Sequence, residues 1–126
     1  MESSQKKILI ADDEIEIVEL LKVFLQGNHF SVAYAYNGEE ALAKFDSFKP
    51  DLMILDLKMP KLSGFDVCRE IHETRHCKII IITGYPNELT HVTKFLELGV
   101  SDCLVKPFDL TTLLSKINRY LSENPQ

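Results

Sequence analysis

The sequence predicts a doubly wound α/β domain built on a five-stranded parallel sheet, and three observations carry that expectation. Short apolar runs alternate with longer amphipathic stretches along the whole chain. The runs are continuously apolar, which suits strands covered on both faces. Acidic, hydroxyl and basic residues fall directly after those runs, where a parallel sheet gathers the ends of its strands.

Each element has its own signal. Ile8-Leu9-Ile10-Ala11 reads as the first strand. Val18, Leu21 and Leu25, with Leu20 and Phe24, stripe a first helix that Gly27 closes. Val32 to Tyr36 alternates large and small side chains, as an edge strand does. Asn37 followed by Glu40 makes a capping box for a second helix. Its apolar face is Ala41, Leu42, Phe45 and Phe48, and Pro50 stops it. Leu52-Met53-Ile54-Leu55 is the third strand, and Phe65, Cys68 and Ile71 mark the third helix. Ile79 to Ile82 form a fourth strand. Leu89, Val92 and Leu96 mark a fourth helix, with Gly99 at the position where a left-handed residue ends it. After Leu104-Val105, Asp109 caps a fifth helix carrying Leu110, Leu113, Leu114, Ile117 and Leu121. Such five-fold β-α alternation builds a parallel sheet with right-handed crossovers and helices on both faces.

A chain of 126 residues is the size of one domain, expected over 1–126 with its core at about 7–121. Fourteen Lys and Arg against nineteen Asp and Glu leave a net charge of −5, which argues against nonspecific nucleic-acid binding. Cys68, Cys77 and Cys103 form no CxxC pair and read as free thiols in a reducing compartment. Met1 to Lys7 lacks the apolar core of a secretory signal, and no apolar run nears the roughly 20 residues that span a bilayer. A soluble cytoplasmic protein is the expectation. His72, His76 and Cys77 have only loose metal-like spacing and read as inert, and His29 and His91 as surface or packing residues. No Ser-His-Asp order, Gly-rich phosphate loop or basic-aromatic patch is present.

The strand ends carry the chemistry. Asp12 and Asp13 follow the first strand, Asp56 closes the third, Thr83 the fourth and Lys106 the fifth. In the order 2-1-3-4-5 the topological switch point lies between the first and third strands, which bear the three aspartates. An aspartate after a strand is common turn chemistry, and a lone Thr or Lys there means little. The joint pattern is what points to a site. Three crowded carboxylates disfavour one another's ionisation, a cost a fold tolerates when a divalent cation occupies the cluster. Hard oxygen donors suit Mg2+ or Mn2+ better than zinc. Asp56, central and alone at its strand end, is the best candidate for attack on a phosphoryl group. Lys106 and the Thr83 hydroxyl would hold two of the phosphoryl oxygens.

With these residues the chain resembles the receiver domain of bacterial two-component response regulators. The motifs are Ile10-Ala11-Asp12-Asp13-Glu14, Leu55-Asp56-Leu57-Lys58-Met59-Pro60 with Gly64-Phe65-Asp66, Ile82-Thr83-Gly84, and Lys106-Pro107-Phe108. The resemblance runs from about Lys7 to Leu121. It implies a flavodoxin-like (βα)5 fold and Mg2+-dependent phosphorylation of Asp56 by a phosphohistidine donor. It also implies metal ligation by Asp13, Asp56 and the backbone carbonyl of Lys58, with Asp12 acting through water, and a cis Lys106-Pro107 peptide. In this family signalling runs from the threonine to an aromatic on the fifth strand. Here that position is Cys103, and a small thiol cannot fill a ring's volume. The aromatic switch and the family-type dimer across the fourth and fifth helices are therefore not carried over. Lys58, Gly84, Tyr85 and Cys103 are taken as modulating positions, with Lys58 and Tyr85 flanking the path of hydrolytic water.

The expected function is a receiver that accepts a phosphoryl group on Asp56 and relays or signals it through a partner, with self-phosphotransfer and self-dephosphorylation its only catalysis. The donor is a sensor histidine kinase or histidine phosphotransfer protein, and the downstream target is unidentified. Neither nucleic acid nor membrane is an expected partner, and a monomer is expected, dimerisation on phosphorylation being the alternative. No output domain is expected after Leu121, the alternative being a segment cut from a longer regulator, since Ser122 to Gln126 resembles the start of a linker. Two rival functions are a phosphorylation-independent binding module on the same fold and a metal-dependent aspartyl phosphatase. The second resembles the haloacid dehalogenases, which place an Asp-x-Asp motif after the first strand, a motif this chain does not have there.

Overall fold

A computed structural model describes residues 5–72, 77–85, 87, 95 and 97–122. The strands are β1 (Lys7–Ala11), β2 (Ser31–Ala35), β3 (Leu52–Asp56), β4 (Lys78–Thr83) and β5 (Asp102–Val105). They form one parallel sheet in the order β2-β1-β3-β4-β5. Helices α1 (Ile15–Gly27), α2 (Gly38–Phe48) and α3 (Gly64–Ile71) follow the first three strands, and a last helix (Leu110–Ser122) follows β5. The expected fourth helix, with Leu89, Val92 and Leu96, lies outside the described residues, as do His76 and His91.

Alternation along each strand divides the apolar residues between two cores. On one face Ile8, Ile10, Leu52, Ile54, Ile80 and Ile82 pack with Val18, Leu21 and Leu25 of α1 and with Leu113 and Ile117 of the last helix. On the other face Leu9, Met53, Leu55, Ile79 and Ile81 pack with Ala41 of α2 and with Val67, Cys68 and Ile71 of α3. This is why the central runs are continuously apolar: both sides of the pleat are dry. The α1 stripe is narrower than expected, because Leu20 is 52% exposed while Leu21, one 100° step on, is buried.

The helix ends follow local chemistry. Asn37 Oδ1 accepts from Glu40 N at 2.9 Å. Glu40 departs from the reciprocal box: its carboxylate accepts from Tyr36 N, one residue earlier than the cap. Lys49, with φ 55°, ends α2 ahead of Pro50. Gly99, with φ 77°, stands where the sequence places a terminating glycine. Val100 N donates to Phe95 O at 3.1 Å across it, the long bond of a Schellman ending. At α3, Ser63 and Asp66 form a full capping box that the sequence reading passed over.

Replacing Asn37 with Ala should lower unfolding stability by about 1 kcal/mol, since it strips the cap from α2 while leaving the sheet intact. Urea denaturation checks this, and an unchanged midpoint contradicts the cap's role.

Candidate functional site

Sheet register decides which polar groups meet. Ala11 pairs with Leu55, so Asp12 stands level with Asp56 on the neighbouring strand. Asp56 pairs in turn with Ile82, and Thr83 with Val105. The ladder continues past the strand ends: Asp12 N donates to Ala35 O, and Lys106 N to Thr83 O. Strand alternation then turns Asp12, Asp56 and Lys106 toward the α1 face, and Thr83 and Cys103 toward the opposite one.

Asp12, Asp13 and Asp56 each offer an oxygen within 4.8 Å of the others. Asp12 and Asp56 are buried, and Asp13 is exposed. Lys106 Nζ stands among the acids, 3.2 Å from Asp56 Oδ2, 2.9 Å from Asp12 Oδ2 and 2.7 Å from Glu14 Oε1. Its approach to Asp12 is off the line of a hydrogen bond, so Asp12 Oδ2 is buried without a hydrogen-bond partner. The other Asp12 oxygen accepts from Glu14 N at 2.9 Å. Lys58 N points at Asp56 Oδ1 from 3.4 Å.

These contacts set the protonation chemistry. Burial pushes the Asp56 carboxyl up to about 7, the negative charge of Asp12 adds to the rise, and Lys106 opposes it. At Lys106 burial works against the charge, but the hydrogen bond to Glu14 and the nearby charges of Asp12 and Asp56 outweigh it. The lysine is therefore held protonated. Three hard oxygen donors, one of them a buried orphan, fit a divalent cation such as Mg2+ or Mn2+.

A cleft of about 700 Å³ opens beside the acids, bordered by Asp13, Glu14, Lys58, Gly84, Tyr85 and Lys106. Lys58 Nζ lies 4.3 Å from the Tyr85 ring centroid at its rim. The Thr83 hydroxyl is buried and accepts from Tyr85 N at 3.0 Å, closing the turn after β4. The structure thus brings Asp12, Asp13, Asp56 and Lys106 into contact range and sets Thr83 at the same edge on the other face of the sheet. The Lys106–Pro107 peptide is cis. Cys103 is half-buried against the core that holds Phe65 and Phe95, whose rings stack at 4.9 Å. Burial, and after it the charge of Asp102, pushes the Cys103 thiol upward.

Sequence reasoning missed two contributors. Glu14 was read only as part of a motif, yet it is the nearest partner of Lys106. Gly64 approaches β3 so closely that a Cβ there would sit 2.5 Å from the Asp56 carbonyl oxygen. Of the inert set, His72 Nδ1 lies 3.2 Å from Leu98 O, a packing role, and Cys77 is buried.

A parallel sheet in this order, with acids at its switch point, is the architecture of the flavodoxin-like α/β class. The sequence profile of the response regulator receiver domain matches residues 8–118, and the chain belongs to that family: it is a receiver domain of two-component response regulators. Among curated relatives it is 41% identical over 127 residues to the probable transcriptional regulator ycf27 of Cyanophora paradoxa, covering 99% of this chain and 53% of that protein. It is 36% identical to the transcriptional regulatory protein ResD of Bacillus subtilis, covering 99% of this chain and 52% of the relative. The chain thus spans about half the length of these relatives. A CheY-like receiver domain protein from Methanospirillum hungatei superposes with a TM-score of 0.88 at 32% identity, covering 94% of each chain. The Thermotoga maritima response regulator TrrA, solved in complex with Mg2+-BeF, gives 0.81 at 39% identity, covering 91% of this chain and 98% of that one. No helix among the described residues is long and apolar enough to cross a membrane.

The buried acid predicts a pH signature. Asp56 has a folded value near 7 against an ordinary 3.8, so it contributes stability below about pH 4 that is lost as pH rises through 7. In metal-free buffer the melting temperature of the wild type should fall relative to Asp56→Asn between about pH 4 and pH 7 and level off above that. A gap that stays constant over that range contradicts the assignment.

Proposed function

We propose that this domain accepts a phosphoryl group on Asp56 from a phosphohistidine donor, and that the modified surface is what a partner reads. The observation that carries the reading is the acidic nest with its orphan buried oxygen and Lys106 among the carboxylates. An Asp56 carboxylate oxygen attacks phosphorus, forming the O–P bond of an acyl phosphate. The donor's P–N bond breaks, and its electron pair returns to the imidazole. Lys106 donates to one phosphoryl oxygen, and the Thr83 hydroxyl, once released from the Tyr85 amide, to another.

Asp12, Asp13, Asp56 and the Lys58 carbonyl would hold Mg2+, which supplies neutralisation of charge on the transferring group. Asp56 is then held ionised, as attack requires. Residues 1–126, with a core at about 7–121, work as one receiver unit. Its chemistry is self-phosphotransfer and self-dephosphorylation, without turnover of separate substrates. The natural donor is a sensor histidine kinase or histidine phosphotransfer protein, in the cytoplasm. The curated relatives named above are transcriptional regulators of about twice this length, so for the whole protein a transcriptional output is part of the proposal.

Acetyl phosphate with Mg2+ should add one phosphoryl group to the intact mass of the wild type. Asp56→Asn, or chelation of the metal, should abolish the gain. A gain retained in Asp56→Asn would sink the reading.

Lys58 and Tyr85 close over the mouth of the cleft and obstruct in-line approach of water to the acyl phosphate. Shortening both to alanine should speed dephosphorylation about two- to fivefold, the scale of an exposed cation–π contact. Radiolabel loss from purified phosphoprotein measures it, and equal half-lives exclude the obstruction.

A further inference from the structure

Glu14 occupies a position its residue type does not suit. It is the N-cap of α1, where Ser, Thr, Asp or Asn would bond the orphan amides of the first turn. Its side chain makes no cap bond. It extends instead to Lys106, 92 residues away, with Oε1 2.7 Å from Nζ. That is shorter than the distance from Nζ to Asp56, the group Lys106 is proposed to serve. A residue that breaks a local rule at the rim of a site, while making a long-range contact inside it, is acting on the site.

Valence shows what the contact does. An ammonium has three N–H donors, and here three carboxylates crowd around one Nζ. A phosphoryl group on Asp56 adds charge and three acceptor oxygens. Two of the donors are already committed, to Glu14 and Asp56, and reaching a phosphoryl group beyond Asp56 draws Nζ away from the carboxylates around it. Asp12 is fully buried and would be stranded by that departure, whereas the Glu14 side chain is 58% exposed and is rehydrated at small cost. Glu14 is the contact that yields.

We infer that Glu14 is a positioning residue that tethers the Lys106 ammonium in the unphosphorylated domain and competes with the phosphoryl group for it. The inference rests on Asp56 being the phosphoacceptor. Glu14 touches no reacting atom. It acts through Lys106, so that removing it leaves the ammonium available from the start.

The test combines a cycle with a footprint. Glu14→Gln, which keeps size and loses charge, should speed acetyl phosphate labelling of Asp56 about two- to fivefold with Mg2+ present. In a Lys106→Ala background the same substitution should change nothing. With no donor present, an amine-reactive ester should label Lys106 faster in Glu14→Gln than in wild type, a readout independent of phosphorylation. Glu14→Ser, which restores a good cap, should match the Gln variant in rate while melting no lower than wild type, separating the tether from a structural role. Equal Lys106 labelling in Gln and wild type overturns the tether. So does an acceleration that persists undiminished without Lys106, which would be simple repulsion of the anionic donor. If wild type takes no phosphoryl group while Glu14→Gln exposes Lys106, the tether stands as a contact and it is the reading of Asp56 that fails.

Discussion

One ammonium among four carboxylates is the interaction on which the site depends. Asp12, Asp13, Asp56 and Glu14 converge where two central strands end, and Lys106 is the cation set among them. Negative charges gathered this way would spread apart in a flexible chain. The sheet prevents it, because Ile10, Leu55 and Ile82, just inside the strand ends, are locked in dry cores that cannot shift without opening voids. Burial first, and the crowding of Asp12 after it, therefore show as electrostatics, in an Asp56 carboxyl raised to about 7 beside a lysine kept charged. Added positive charge relieves it, and an added phosphoryl group redistributes it.

The two faces of the sheet divide the labour. Asp12, Asp56 and Lys106 share the α1 face with Glu14 and the mouth of the cleft. Thr83 and Cys103 share the other face with α2 and α3. A change at Asp56 reaches that second face only through the edge itself, where Thr83 is bonded to the turn carrying Tyr85. The aromatic mass beneath it comes from the stacked Phe65 and Phe95, since β5 contributes only the small thiol of Cys103 there.

Much of this was legible in the sequence because the signals were local or periodic. Continuous apolar runs announced strands covered on both sides, and Asn37, Pro50 and Gly99 marked helix ends through backbone chemistry that depends on few neighbours. Ser63 and Asp66 carry an equally local signal, a polar residue with an acid three positions on that together cap α3. Leu20 belongs to the apolar stripe of the sequence but falls outside the buried arc of α1, which is narrower. Glu14 left only a faint signal, an unsuitable cap residue, since its partner lies in a distant segment.

Order, identity and spacing in the chain determined the fold class and assigned Asp12, Asp13, Asp56, Thr83 and Lys106 to one edge, because strand and helix periods are properties of contiguous residues. The three-dimensional arrangement alone decided which of those groups touch. Register and pleat parity are set by how strands pair, so only they separate Thr83 from the acids and leave one oxygen of Asp12 buried and unbonded. They alone bring Glu14 to Lys106.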